Sequence, residues 1–214
     1  MIKYKVFEFN PFAENTYLVW ETESRGCMVI DPGCYGQPEN RTIKSFLDDN
    51  NLRLIYILNT HCHLDHIFGN GYIKSVFADS LLFIPERENS LYFSGPSQAQ
   101  MFGLSMDRPP DPDGYFDFEQ VIRLGDSEFS VLSTPGHTSD GMSFYNREEG
   151  ICFTGDTLFR ESIGRTDLPG GDYEKLIDSI NKKLLSLPES TVILPGHGES
   201  STISYERSNN PFLK

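Results

Sequence analysis

All five histidines of this 214-residue chain fall in three short motifs. The first, T-H-C-H-L-D-H, carries His61, His63, Asp65 and His66; the second, S-T-P-G-H-T-S-D, carries His137; the third, L-P-G-H-G, carries His197. Between the last two stands F-T-G-D-T, with Asp156. Five imidazoles and two carboxylates make a full ligand set for two adjacent metal ions, because imidazole suits zinc or iron and a carboxylate can bridge two metals or anchor one. His61 and His63 are two apart, and on an extended or tightly turned segment such residues point the same way. Asp65 and His66 follow at once and can curl back at a helix start. A turn entering a helix thus presents two imidazoles to one ion and a carboxylate plus an imidazole to a second. His137, Asp156 and His197 must then arrive from distant loops, beside Gly136, Gly155, Gly196 and Gly198, where the backbone can bend without a Cβ clash. A turn or capping role would explain one such histidine, but not the whole set.

The elements that must position these donors can be read from the hydrophobic pattern. Residues 3–9 alternate in polarity like a half-buried strand, and 16–21 and 27–31 are two more β-rich runs, closed by the turn Asp31-Pro32-Gly33. Residues 38–50 predict a helix with Ile43, Phe46 and Leu47 on one face. Leu52–Leu58 is an apolar strand that delivers Thr60 and His61. Residues 67–77 read as a helix, 81–84 as a strand, and Pro85 onward as a short helix. Residues 95–114, rich in Gly, Pro and Asp, read as a surface loop. Strands recur at 120–124, 128–132, 143–145, 151–153 and 191–194. Asp172 caps a helix over 172–187, with Tyr173, Leu176, Ile177, Ile180 and Leu184 at helical spacing. Every candidate donor lies just past the C-terminal end of a strand, the usual α/β placement for a site. No internal repeat is present.

Composition bounds the function. One core-forming domain over 1–214 is expected from the length and the 38% hydrophobic content. A net charge of -13 and a pI near 4.7 argue against nucleic acid or an anionic membrane as partner. With no membrane-length apolar run and no basic, apolar leader, the expected location is cytoplasmic. The four cysteines, Cys27, Cys34, Cys62 and Cys152, form no C-x-x-C pair and are expected to be reduced thiols. Cys62, between two proposed ligands, should turn away from the metals.

Together, T-H-C-H-L-D-H, the later His and Asp motifs and the terminal P-G-H-G resemble the metallo-β-lactamase fold superfamily, over almost the whole chain from Asn15–Val19 onward. The resemblance implies a four-layer αβ/βα sandwich, two mixed β-sheets with helices outside. Within that superfamily G-D-T-L-F at 155–159, P-G-H-G-E-S-S-T-I at 195–203 and E-R-S-N-N-P-F at 206–212 resemble the glyoxalase II group, the hydroxyacylglutathione hydrolases, in a short branch lacking the extra helical C-terminal domain. By that resemblance His61, His63 and His137 hold one metal, Asp65, His66 and His197 hold the other, and Asp156 bridges both. Arg165 falls at a basic position that contacts glutathione in the longer enzymes. The aromatic partners of that stretch are missing from Arg160–Asp167, and Gly164-Arg165-Thr166-Asp167 also resembles a loop of the persulfide dioxygenases.

The expected chemistry is hydrolysis of a small 2-hydroxyacyl thioester of the S-lactoylglutathione type by a metal-bridging hydroxide. Two divalent ions, zinc first and iron or manganese as alternatives, would sit about 3.5–4 Å apart. Asp65 would also orient the hydroxide, and Asp31, Thr60 and Thr154 are candidates for fixing the imidazole tautomers. The competing readings are an iron-dependent persulfide dioxygenase, another hydrolase of the fold acting on a lactone, phosphodiester or β-lactam, and a metal- or partner-binding module without activity. The charge disfavours a nuclease, and the missing leader disfavours a β-lactamase.

Overall fold

The computed structural model describes residues 1–116 and 120–214. It contains two six-stranded sheets and divides into two compact units, one of Met1–Phe116 with Leu124–Ser127, the other built mainly of Glu128–Lys214. Among the described residues no helix is long and apolar enough to cross a membrane.

The sheet of the first unit has the order β1 (Ile2–Phe9), β2 (Glu14–Glu21), β3 (Gly26–Ile30), β4 (Arg53–Leu58), β5 (Leu81–Pro85) and β6 (Gly114–Phe116). β1, β2 and β3 pair antiparallel, whereas β3 to β6 run parallel. Parallel neighbours end at the same edge, so Asp31 after β3 and Thr60-His61 after β4 leave the sheet together. Helix α1 (Gly36–Asp49) buries Ile43 and Leu47, as its spacing predicts. Leu18, Val29, Ile57, Leu82 and Ile84 join them in one apolar cluster.

Three expectations change here. β1 is an edge strand and is exposed over most of its length, Tyr4 and Val6 at 41% each, so its alternation does not mark a buried face. The helix expected over 67–77 is two short ones, α2 (Leu64–Ile67) and α3 (Asn70–Val76). They part at Gly69, whose N–H leaves the helical ladder for the Pro32 carbonyl at 2.7 Å. A Cβ there would lie 2.4 Å from Cys34 Sγ. Residues 95–114 are not one loop, because after α4 (Asn89–Phe93) the chain forms α5 (Gly95–Met101) and then β6. Gly95-Pro96 reads as a breaker, but Pro in a first helical turn needs no N–H and suits the helix.

The second unit's sheet has the order β14 (Ser201–Thr202), β13 (Val192–Pro195), β10 (Ile151–Gly155), β9 (Met142–Asn146), β8 (Ser127–Ser133) and β7 (Val121–Leu124). β13 and β10 are parallel, and β8 and β10 are each antiparallel to β9. β8, β10 and β13 therefore end at one edge, which is why His137, Asp156 and His197 emerge together. The register shifts at the end of β10, where Gly155 has φ 47°, and this kink aims Asp156 out of the sheet. A small hairpin follows, β11 (Leu158–Phe159) and β12 (Ser162–Ile163), which the sequence pattern does not announce.

Helix α6 (Tyr173–Ser179) is capped by Asp172, whose carboxylate accepts from the Lys175 N–H at 3.1 Å, as expected. It continues as a π-helical turn over Ile180–Leu184. Leu176, Ile180 and Leu184 are buried against Tyr145, Cys152 and Ile193. Tyr173, at the start of the same stripe, is 48% exposed. Helix α7 (Ile203–Asn209) is followed by a 3-10 turn over Pro211–Leu213, and its Glu206 is buried, accepting from the Glu161 N–H and the Asn210 side chain. Leu176→Ala should therefore cost about 2–5 kcal/mol of stability, whereas Tyr173→Ala should stay within about 0.5 kcal/mol, measured by urea denaturation.

Candidate metal centre

In the first unit the donors occupy the run from β4 through α2. His61 and His66 are almost fully buried and Asp65 is 9% exposed. The His61 ring lies 4.1 Å from that of His66 and 4.9 Å from that of His63. Three imidazoles this close cannot all be protonated at low cost.

Proton accounting shows which nitrogen His61 presents, and a carboxylate contact orients His66. Asp31 accepts from the Thr60 N–H with Oδ1 and from the Thr60 hydroxyl with Oδ2, both at 2.6 Å. That hydroxyl has one hydrogen, now used, so its 3.1 Å contact with His61 Nδ1 must be donated by the ring. Nε2 of His61 is left as the ligand atom. Asp31 Oδ2 also lies 3.1 Å from His66 Nδ1, which turns Nε2 of His66 towards Asp65 Oδ2, 3.7 Å away. Asp31, His61 and His66 offer donor atoms within 4.8 Å of one another. The Asp31 oxygens already hold Thr60, so Asp31 acts behind the ligands. The sequence reading of Asp31 and Thr60 as tautomer-fixing groups agrees with this geometry. Thr154 does not share that role: its hydroxyl donates to the Leu158 carbonyl at 3.0 Å and closes a turn.

The second unit repeats the device with a main-chain partner. His137 Nδ1 is 2.7 Å from the Arg165 carbonyl and must donate to it, leaving Nε2 outward. Gly136, at φ 133°, makes the approach possible, since a Cβ would lie 2.2 Å from the Leu176 nitrogen. His137 Nε2 and His197 Nε2 stand 3.5 and 3.6 Å from one oxygen of Asp156, Oδ2. The Arg165 side chain points elsewhere, forked onto Asp167 at 2.7 and 2.8 Å. That fork holds the Asp167 carboxyl down at about 2.

The donor set fits divalent metal. Separations of 3.5–3.7 Å between imidazole nitrogen and carboxylate oxygen are too long for hydrogen bonds. Two donors each about 2.1 Å from one tetrahedral ion lie about 3.4 Å apart, which is close to what is found.

Several groups that hold this arrangement carry no motif signal. The Cys62 N–H donates to Glu88 Oε2 at 2.7 Å and the Leu64 N–H to Gln98 Oε1 at 3.2 Å. The His66 carbonyl accepts from Asn59 Nδ2 at 2.8 Å, and the Asp65 carbonyl from Asn10 Nδ2 at 3.0 Å. Glu14 is fully buried, and its Oε2 is 2.8 Å from the Thr16 hydroxyl. Thr16 gives its one hydrogen to the Asp31 carbonyl and accepts from the Gly33 N–H, both at 2.9 Å. The Thr16 hydroxyl thus links Glu14 to the Asp31 turn, and burial pushes the Glu14 carboxyl well above the usual carboxylate range. Cys62 is buried in the apolar cluster, turned into the protein as expected, and none of the four buried cysteines is in a disulfide.

Thr60→Val keeps the shape but removes the hydroxyl link between Asp31 and His61. It should weaken zinc binding about 10–100-fold, read by chelator competition, while far-UV circular dichroism stays unchanged.

Comparison with known proteins identifies the family. The model of the metallo-beta-lactamase superfamily matches residues 9–197. The chain is 39% identical to hydroxyacylglutathione hydrolase GloC of Haemophilus influenzae, over 98% of this chain and 97% of that protein. Among solved structures it is similar to BLEG-1 B3 metallo-beta-lactamase, with 32% identity, TM-score 0.90, and coverage of 99% and 100% of the two chains. It is also similar to TTHA1623 in a di-iron-bound form, with 35% identity, TM-score 0.87, and coverage of 98% and 100%. The two mixed sheets with their helices and the spacing of His and Asp donors thus have one explanation: the chain belongs to the metallo-beta-lactamase superfamily and has its fold.

Proposed function

We propose that the protein is a dinuclear metallohydrolase that cleaves 2-hydroxyacyl thioesters of the S-lactoylglutathione type. The observation that carries this reading is the 39% identity to a hydroxyacylglutathione hydrolase over nearly the full length of both proteins. In this reading His61, His63 and His137 hold one ion, Asp65, His66 and His197 hold the other, and Asp156 serves both. The contact of one Asp156 oxygen with both His137 and His197 supports the bridging role. Bound there, two divalent ions supply a nucleophilic water at neutral pH and polarise the thioester carbonyl. The similarity to a di-iron-bound structure leaves iron beside zinc as the resident metal.

The chain's own residues do the rest. Asp31 with Thr60, and the Arg165 carbonyl, keep His61 and His137 in one tautomer. Asp65 ligates and orients the attacking water. No thiol need act as nucleophile, and burial pushes Cys27, Cys34 and Cys152 further from the thiolate. The acidic surface opposes long-range attraction of an anionic thioester. Local cations must supply affinity, and Arg165 can do so by exchanging Asp167 for a substrate carboxylate.

The direct test is thiol release from a panel of thioesters by metal-defined protein. Turnover of S-lactoylglutathione above that of thioesters of unrelated thiols supports the reading, and no turnover of any thioester by metal-replete protein overturns it. A second reading, β-lactam hydrolysis, is favoured by the likeness to a B3 metallo-beta-lactamase at TM-score 0.90, so a chromogenic cephalosporin belongs in the panel.

Two variants probe the roles assigned here. Asp156→Ala should lose both ions and lower kcat more than His66→Ala, which should lose about one ion; equal partial losses would contradict the bridge. Arg165→Ala should raise KM for S-lactoylglutathione with kcat nearly unchanged, as expected when uniform binding is removed. An unchanged KM would remove Arg165 from the substrate contact.

A further inference from the structure

The segment that carries Asp65 and His66 is too short to satisfy its own backbone. α2 has one turn, and the last carbonyls of any helix lack partners within it. In a longer helix the Asp65 carbonyl would accept from the Gly69 N–H, but that group is spent on Pro32. Asn10, in the turn between β1 and β2, takes its place. Its Nδ2 gives one hydrogen to the Asp65 carbonyl and the other to the Gly33 carbonyl, each at 3.0 Å. Its Oδ1 accepts the Phe12 N–H at 2.9 Å. Its own N–H is held by Glu39 at 3.0 and 3.2 Å. The carboxamide is thus used in full, two donors and one acceptor.

The surroundings admit little else. Asn10 has φ 52°, a region that Asn, Asp and Gly tolerate. Aspartate has no hydrogen to give, and glutamine is one carbon too long for the same spot. Gly33 is required opposite, because a Cβ there would lie 2.7 Å from Asn10 Nδ2 and 2.5 Å from the Asp65 carbonyl. The bond to Gly33 also ties in the turn whose Asp31 orients His66 and, through Thr60, His61.

We propose that Asn10 is a positioning residue that fixes Asp65, and with it the ion held by Asp65 and His66, by clamping the Asp65 carbonyl to the Gly33 turn. This rests on the proposed reading that those two side chains ligate one ion of a pair. It does not depend on which ester is hydrolysed.

The experiment is a zinc titration of metal-free full-length protein by chelator competition, for wild type, Asn10→Gly and Asn10→Asp. The glycine variant keeps the positive φ and drops all three side-chain hydrogen bonds; the aspartate variant keeps the shape and the acceptor and cannot donate. The expected result is that one zinc step weakens about tenfold or more in both variants. The other step should stay within roughly twofold, and the thermal midpoint of the metal-free protein should stay near that of wild type. Equal weakening of both steps together with a lower metal-free midpoint would make Asn10 a general fold residue and overturn the proposal, as would no change in either step. Wild-type protein that takes up a single zinc ion would overturn the two-ion reading and this inference with it. Two zinc steps with the expected selective loss, but no thioester turnover, would leave the positioning role standing and remove only the thioesterase reading.

Discussion

Four donor side chains fall within the six residues His61–His66, whose regular structure amounts to the single turn of α2, and the surrounding fold depends on making up the backbone deficit that so short a helix leaves. A buried backbone group without a partner costs about 1–3 kcal/mol, so a run with several could not persist unaided. Its N–H groups go to Glu88 and Gln98, its carbonyls to Asn10 and Asn59. These side chains come from the β1–β2 turn, the end of β4, a 3-10 turn after β5 and helix α5. Each of those elements thereby gains a reason for its place.

The same economy governs charge. Asp31 sits behind the rings with three contacts to Thr60 and His66, and its φ of 49° lies in the left-handed region that Asp, like Asn, tolerates. That conformation lets the backbone turn at once from β3 towards the rings. A carboxylate placed behind an imidazole raises its basicity and fixes its tautomer, which strengthens it as a ligand. In the second unit a main-chain carbonyl, that of Arg165, serves His137 in the same way and needs no particular side chain. The residue type at 165 is therefore free to serve another purpose.

Much of this was legible in the sequence. The donors declared themselves because histidine occurs nowhere else, and the strands before them because short β-rich runs end just before the motifs begin. Asp172 was legible as a cap because its side chain acts within one turn. The supporting residues were not legible: Asn10 lies 55 positions from the carbonyl it holds and Glu88 lies 26 from its N–H, so no local pattern records them. Helix α5 was hidden by Gly95-Pro96, a pair that breaks a helix in its interior and favours one at its start. Tyr173 was misplaced because spacing shows which side of a helix is apolar, but not where along the helix the core stops. The β11–β12 hairpin is two residues a side, below the length at which alternation can be seen.

The central claim is that imidazoles held through Nδ1 by Thr60 and the Arg165 carbonyl present Nε2 to a pair of ions. A crystal structure of zinc-loaded protein with anomalous data at the zinc edge tests it most directly. The account predicts two anomalous peaks about 3.5–4 Å apart, with Nε2 of His61 and His137 facing metal, Nδ1 of each still on its partner, and Asp156 in contact with both peaks. A single peak, or ligation of either ring through Nδ1, would contradict it.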